Sequence, residues 1–176
     1  MADRIYLRPF NLSDASTLLK WGQDEYYQHL AGFGHYQNLG DAEKAAGQYA
    51  ARKYSYALCL RQSQKMIGLV ELYERGISTK ELQATKEIGF LLDKDFSGHG
   101  YMTEALKIVL DYAFQKLNQT EIWAGVFENN LRSKKLLMRL GFKFIYAVDM
   151  SKVSEFSQYQ EDYFLLQKAE WLERKK

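Results

Sequence analysis

Ser97-Gly98-His99-Gly100-Tyr101-Met102-Thr103-Glu104-Ala105-Leu106 joins a strand-like run to a helical pattern. Before it stands Glu87-Ile88-Gly89-Phe90-Leu91-Leu92. After it, apolar residues recur at Met102, Ala105, Leu106, Val109, Leu110, Ala113, Phe114 and Leu117, the spacing of one helix face. The order is therefore strand, glycine loop, helix. Glycines let a backbone approach a ligand closely, and the first-turn amides of a helix lack internal partners. Such a helix start attracts phosphate oxygens, so the segment reads as a diphosphate cradle. The plainer alternative is a tight turn. A third glycine for a dinucleotide fingerprint is absent, as is the Gly-Lys-Ser/Thr of a nucleoside triphosphate loop, and no acidic residue stands in a ribose-binding frame. The expected ligand is a phosphate-bearing molecule of another kind.

A second signal lies downstream. Glu121-Ile122-Trp123-Ala124-Gly125-Val126 alternates as a strand, with Ile122, Ala124 and Val126 on one face. Asn129 or Asn130 then offers a helix N-cap, Leu136, Leu137 and Leu140 form a buried stripe, and Gly141 stands at the expected left-handed stop. Lys134, Lys135 and Arg139 complement the negative helix end.

Together, Phe90-Leu91-Leu92, Gly98-His99-Gly100 and Asn130 through Phe142 resemble the GCN5-related N-acetyltransferase (GNAT) superfamily. The wording Gly100-Tyr101-Met102-Thr103-Glu104-Ala105, Asn130-Leu131-Arg132-Ser133 and Leu140-Gly141-Phe142 is most similar to the branch that includes ribosomal-protein N-terminal acetyltransferases. Ile5-Tyr6-Leu7-Arg8-Pro9-Phe10, followed by Ser13-Asp14-Ala15, is similar to that branch's opening. Motif-level resemblance spans roughly residues 86–142. Two positions depart from the family pattern. Asp95 stands where the phosphate loop often carries Gln or Arg, and Leu137 where many members place a tyrosine that protonates the leaving thiolate.

The resemblance implies an acetyl-CoA-dependent N-acetyltransferase that moves the acetyl group directly to a primary amine, either a protein N-terminus or a small amine. Phe90, Leu91 and Leu92 would contact pantetheine and the thioester carbonyl. Ser97, Gly98, His99, Gly100, Tyr101, Met102 and Thr103 would surround the diphosphate, and Asn130 the acetyl or pantetheine region. Glu87 and Glu71 are the candidate bases, acting through water, with a solvated edge residue as the alternative for each. Ser133 would protonate or hydrogen-bond the thiolate. Tyr26, Tyr27, Phe33 and Tyr36 would either wall the acceptor pocket, touched also by Glu71, or anchor their loop. His29 and His35 belong to the same aromatic stretch. Cys59 reads as a small core residue rather than a nucleophile. Two other readings are a non-catalytic acyl-CoA-binding sensor on the same fold and a nucleotide-binding protein.

The whole chain bounds these readings. Its 176 residues suit one domain, taken as 1–176, and 47% hydrophobic content argues against disorder. A net charge of +2 gives no reason to expect nucleic acid or an anionic membrane as partner. One cysteine and three histidines show no zinc spacing, and no metal is expected. The lone cysteine fits a reducing compartment, and Met1-Ala2-Asp3-Arg4 does not read as a signal peptide, so the expected location is the cytoplasm, as monomer or homodimer. The expected helices are Ser13 to Gln23, Asp41 to Tyr54 capped by Asp41, the two described above, and Ala169 to Lys176. Asp24 to Gly40 reads as a loop. The expected strands are Ser55 to Arg61 and Met66 to Tyr73 around a turn, Thr85 to Leu92, Glu121 to Val126, Phe142 to Met150 and Tyr159 to Gln167. The fold class is α/β (α+β): a mixed, mostly antiparallel sheet flanked by helices, which the resemblance implies is splayed near Phe90.

Overall fold

A computed structural model describes residues 4–152 and 159–174. Among these residues seven strands form one mostly antiparallel sheet in the order β1-β2-β3-β4-β5-β7-β6. They are β1 Ile5–Pro9, β2 Ser55–Leu60, β3 Met66–Glu74, β4 Thr85–Leu92, β5 Glu121–Phe127, β6 Lys143–Asp149 and β7 Gln160–Gln167. The helices are α1 Ala15–Gly22, α2 Glu25–Ala31, α3 Leu39–Ala51, α4 Thr79–Ala84, α5 Tyr101–Asp111, α6 Leu131–Leu140 and α7 Lys168–Glu173. The chain falls into two compact units, Met1–Glu71 with Phe90–Leu106 and Leu72–Gly89 with Lys107–Lys176.

In the first unit β1 pairs antiparallel with β2, and β2 with β3. Its core gathers Phe10, Leu18, Trp21, Tyr27, Ala42, Ala46, Ala57, Cys59, Leu69 and Leu91. α1 turns Leu18 and Trp21 fully inward, each worth roughly 1.5–3 kcal/mol of apolar burial. In the second unit β4 pairs parallel with β5, while β5–β7 and β7–β6 are antiparallel. Ile122, Ala124 and Val126 of β5 and Phe164 and Leu166 of β7 are buried on one face. Leu136, Leu137 and Leu140 form the buried stripe of α6. Lys134 of that helix pairs at 2.5 Å with Asp162, on the buried face of β7.

Several boundaries differ from expectation. The 24–40 stretch is not all loop: Asp24 caps α2, accepting the Tyr26 amide at 3.0 Å, and Gly32 ends it in the left-handed conformation. Its run of aromatic and polar side chains hides the helical period. α3 begins at Leu39 rather than Asp41 and stops at Ala51, because Asn38 is its cap and accepts the Asp41 amide at 3.1 Å. α4 was not expected. It is held by a capping box in which Ser78 and Glu81 bond each other's backbone amides. Past Asp111 the helix widens into a π turn over Tyr112–Lys116. The terminal helix starts at Lys168, and residues 175–176 of the expected span, like residues 1–3, lie outside the described residues.

Candidate functional site

The glycine loop is built from the backbone up. Asp93, almost fully buried, starts a 3-10 turn over Lys94–Phe96 by accepting the Asp95 amide at 3.1 Å. It also accepts the Trp21 indole N–H at 3.1 Å and the Lys20 ammonium at 2.9 Å. Burial works to raise its proton affinity, but these donors outweigh it and hold the carboxyl below the ordinary carboxylate value. Gly98 and Gly100 follow at φ +84° and +82°, the left-handed region that side chains disfavour. The first helical bond of α5 runs from Glu104 N–H to Gly100 O at 3.1 Å. Among the described residues, the amides of Gly98 to Thr103 find no backbone acceptor. A run of unsatisfied donors at a helix start, on a backbone that no β-carbon shields, fits a diphosphate.

The loop is clasped from outside by Arg4. Its guanidinium donates to His99 O at 2.9 Å, pairs with Glu104 and lies 4.8 Å over the Tyr101 ring. The His99 ring is tied locally, with Nδ1 2.9 Å from Ser97 O and its plane stacked on Tyr101. Asp95, the departure noted in the sequence, lies 3.2 Å from Lys20. Met102 is buried, and Ser97 and Thr103 are half-buried.

On β4 the alternating burial of Lys86 and Ile88 breaks before Leu91, an irregularity at Gly89-Phe90 of the kind that bulges produce. The parallel ladder to β5 runs only from Thr85↔Glu121 to Glu87↔Trp123, ending three residues before Phe90. The Leu91 side chain is in the core, and Phe90 and Leu92 are half-buried. At the start of α6, Asn130 Oδ1 caps the helix by accepting the Ser133 amide at 3.1 Å, which fixes both side chains in the first turn. Leu137, at the position of the family's tyrosine, is fully buried.

The two carboxylates proposed as bases stand in different surroundings. Glu71 is buried and pairs with Arg52 at 2.9 Å. Tyr36 and Tyr49 share a hydrogen bond beside this pair, and burial raises both phenols. Glu87 is on the half-exposed face of the second unit. Arg75 donates to it at 2.5 Å and to the Tyr146 hydroxyl at 2.7 Å, and lies over Trp123 at 4.5 Å and Tyr163 at 5.0 Å. On the same face Tyr163 Oη donates to Glu161 Oε2 at 3.0 Å. Register explains the grouping: Glu87 opposes Trp123, Gly125 opposes Tyr163, and Phe127 opposes Glu161.

Of the aromatics assigned to the acceptor, Tyr27 is buried in the core and its hydroxyl accepts the Lys94 amide at 2.9 Å. Phe33 and Tyr36 pack partly buried against that core. Tyr26 is the exposed member, 5.5 Å from the Lys94 ammonium. His35 Nδ1 lies 3.0 Å from Gln28 Nε2, and Cys59 is buried and free. Among the described residues no cluster of His, Cys, Asp or Glu could hold a metal ion, and no helix is long and apolar enough to cross a membrane.

Sequence reasoning missed Arg4, Arg75, Glu161, Tyr163 and Tyr146. In Gln160-Glu161-Asp162-Tyr163-Phe164 the two faces of the strand are equally polar and equally aromatic. Only the pairing register assigns Asp162 to the buried side and Glu161 to the other.

A family model described as an acetyltransferase (GNAT) domain matches residues 4–143. A Bacillus subtilis (strain 168) protein named Probable N-acetyltransferase YjcK is 32% identical over 147 residues, 78% of this chain and 80% of its own. The ribosomal-protein-S5-alanine acetyltransferase of Vibrio fischeri superposes with TM-score 0.75 at 18% identity, over 97% of each chain. The spermidine N-acetyltransferase of Vibrio cholerae, solved with CoA and spermine, superposes with TM-score 0.77 at 18% identity, over 96% of this chain and 98% of its own.

Proposed function

This chain belongs to the GNAT acetyltransferase family, and we propose that it moves an acetyl group from acetyl-CoA directly to a primary amine, a small amine or a protein N-terminus. It is an acyltransferase of a fold that binds acetyl-CoA. The observation that carries the reading is the run of unpartnered amides from Gly98 to Thr103, held open by two left-handed glycines.

In this reading the backbone of Ser97, Gly98, His99, Gly100, Tyr101 and Met102 holds the diphosphate, and the Thr103 hydroxyl adds a contact. Amides of Phe90, Leu91 and Leu92 meet pantetheine and the thioester oxygen. One well-aimed donor to the developing oxyanion contributes about 3–4 kcal/mol. Asn130 contacts the acetyl or pantetheine region. A carboxylate removes one proton from the ammonium, and the free amine attacks the thioester carbonyl carbon. The C–N bond forms and the C–S bond breaks. The second nitrogen proton passes to the thiolate with help from Ser133, and the carboxyl returns its own to solvent. Glu87 lies on the half-exposed face of the second unit, which in this reading borders the acceptor. Glu71, the other candidate base, is buried and paired with Arg52 beside Tyr36 and Tyr49. Tyr26, with Phe33, Tyr36 and Tyr27 behind it, borders the acceptor.

We also propose a single domain, 1–176. The family match supports this, since it runs through residues of both compact units. The protein works in the cytoplasm as a monomer or homodimer, independent of metal, nucleic acid or membrane. The known acceptors of the fold neighbours, a ribosomal-protein alanine and spermidine, define the two arms of the test. Thiol release from acetyl-CoA is followed against polyamines, other small amines and peptides with free N-termini, alongside calorimetric titration with coenzyme A. Turnover with one arm identifies the acceptor class. No turnover with any amine, together with no coenzyme A binding, overturns the reading.

A further inference from the structure

We infer that Glu161 is the carboxylate that takes the proton from the acceptor ammonium, on an aromatic wall that receives the cation; this rests on the acetyl-transfer reading above. The half-exposed face of the second unit carries Trp123 and Phe127 from β5, Tyr146 from β6, and Glu161 and Tyr163 from β7. Tyr146 and Tyr163 stack at 5.1 Å between centroids, and Phe127 stands 4.2 Å from Tyr159. Aromatic faces attract cations. This wall already holds one, the Arg75 guanidinium over Trp123 and Tyr163.

The face offers three carboxylates, and they are not equivalent: Glu121, at the start of β5, accepts the Trp123 indole N–H at 3.2 Å. Glu87 is engaged by Arg75 at 2.5 Å. Among the described residues Glu161 has no ion pair. Its Oε2 accepts from Tyr163, and its Oε1 lies over the bare backbone of Gly125. A β-carbon at Gly125 would collide with that oxygen and stand 3.0 Å from Glu161 Cδ and 3.2 Å from the Tyr163 ring. The carboxyl therefore occupies space that only glycine leaves open, and it is half-buried, still within reach of an incoming ligand.

The charges around it fit a base. Burial pushes the Glu161 carboxyl above its ordinary value of 4.5, and the negative charge of Glu87 adds to this; the Tyr163 hydrogen bond and Arg75 pull the other way. Burial, then Glu161 itself, drives the Tyr163 phenol up, so Tyr163 stays protonated and keeps donating. From β6 the Tyr146 hydroxyl faces Arg75 and tethers it. Glu87 is thus a positioning residue that holds Arg75 and raises the proton affinity of its neighbour. In the step, Glu161 Oε1 accepts one proton from R–NH3+, leaving R–NH2 with the lone pair that forms the C–N bond. The protonated carboxyl releases that proton to solvent after the thiol departs.

The test uses the full chain with the best amine from the panel. Glu161→Gln keeps an acceptor for Tyr163 and removes the base. It is expected to lower kcat by about 10²–10⁴-fold, to leave coenzyme A affinity and the melting temperature unchanged, and to abolish the acidic limb of the kcat–pH profile. Gly125→Ala displaces the same carboxyl without removing it. It is expected to lower kcat by about tenfold or more with the fold intact. Glu87→Gln is expected to move the acidic limb to lower pH. Full kcat and an unchanged acidic limb in Glu161→Gln, beside an active wild type, overturn the inference alone. A wild type that binds coenzyme A yet acetylates no amine overturns the acetyl-transfer reading and this inference with it.

Discussion

The glycine loop and the acidic aromatic face are built in two different ways. The loop, from Ser97 to Thr103, presents main-chain amides, and the side chains around it are already engaged: His99 with Ser97 and Tyr101, and Glu104 just beyond it with Arg4. The face works through side chains set on four strands and the segment after β3, with Arg75 as hub between Glu87, Tyr146, Trp123 and Tyr163. A backbone surface suits the constant part of a carrier molecule, because peptide amides recur at fixed spacing whatever the side chains. A side-chain surface suits a variable acceptor, because each position can be exchanged separately.

That contrast can be broken most severely at the face. Loss of the Glu161 carboxylate should cost kcat by about 10²–10⁴-fold and leave acetyl-CoA affinity alone. An equal loss of both kcat and coenzyme A affinity would erase the distinction between the two surfaces.

The footing of the loop comes next. Asp93→Ala leaves the Trp21 indole and the Asp95 amide without their acceptor and the Lys20 ammonium with Asp95 alone, and should destabilise the fold by about 3 kcal/mol in denaturant melts. The sign with pH follows from its lowered folded value. Asp93 contributes stability above the ordinary carboxylate value of about 3.9, and that contribution is lost as pH falls below it through the lower folded value. Thermal melts across that window should show the wild type converging on Asp93→Asn.

Smaller effects sharpen the comparison. Gly98→Ala or Gly100→Ala forces a β-carbon into the left-handed region at about 1–2 kcal/mol. The KM for acetyl-CoA should rise about tenfold while the KM for the amine stays put. At Gly98 a β-carbon meets nothing, so the effect there isolates backbone conformation from crowding. The mildest case is Arg4. Removing its guanidinium exposes the Glu104 charge in the first turn of α5, where the anion should sit. Arg4→Ala should raise the KM for acetyl-CoA by about two- to fivefold, less at high salt, and Glu104→Gln in the same chain should restore it. No recovery in the double variant would mean that Arg4 acts on loop shape rather than on charge.

Much of the loop side was legible in the sequence. Gly98 and Gly100 announce positive φ, Met102 to Leu110 announce the helix, and Asn130 with Gly141 bracket the next one at its observed ends. These are local signals, spread over a few neighbouring residues. The face was not legible. Glu87 could be named because it precedes the Phe90 irregularity, but its partner Arg75 is twelve residues away in a stretch that contains an unexpected helix. Glu161 and Asp162 are adjacent carboxylates, and only the opposing residues of β5 and β6 separate a half-exposed acid from a buried one.

What the sequence determined by itself, then, was the glycine loop with the helix after it, the strands from β2 onward, the capped helix α6 and the family. Hydrophobic period, glycine conformation and helix capping act within a turn or two of chain, and a reader of neighbours can see them. What the tertiary structure alone decided was which acids meet which arginines. An ion pair or a cation–π contact is set by distances between strands far apart in the chain, and a shift of one residue in pairing register would exchange Glu161 for Asp162.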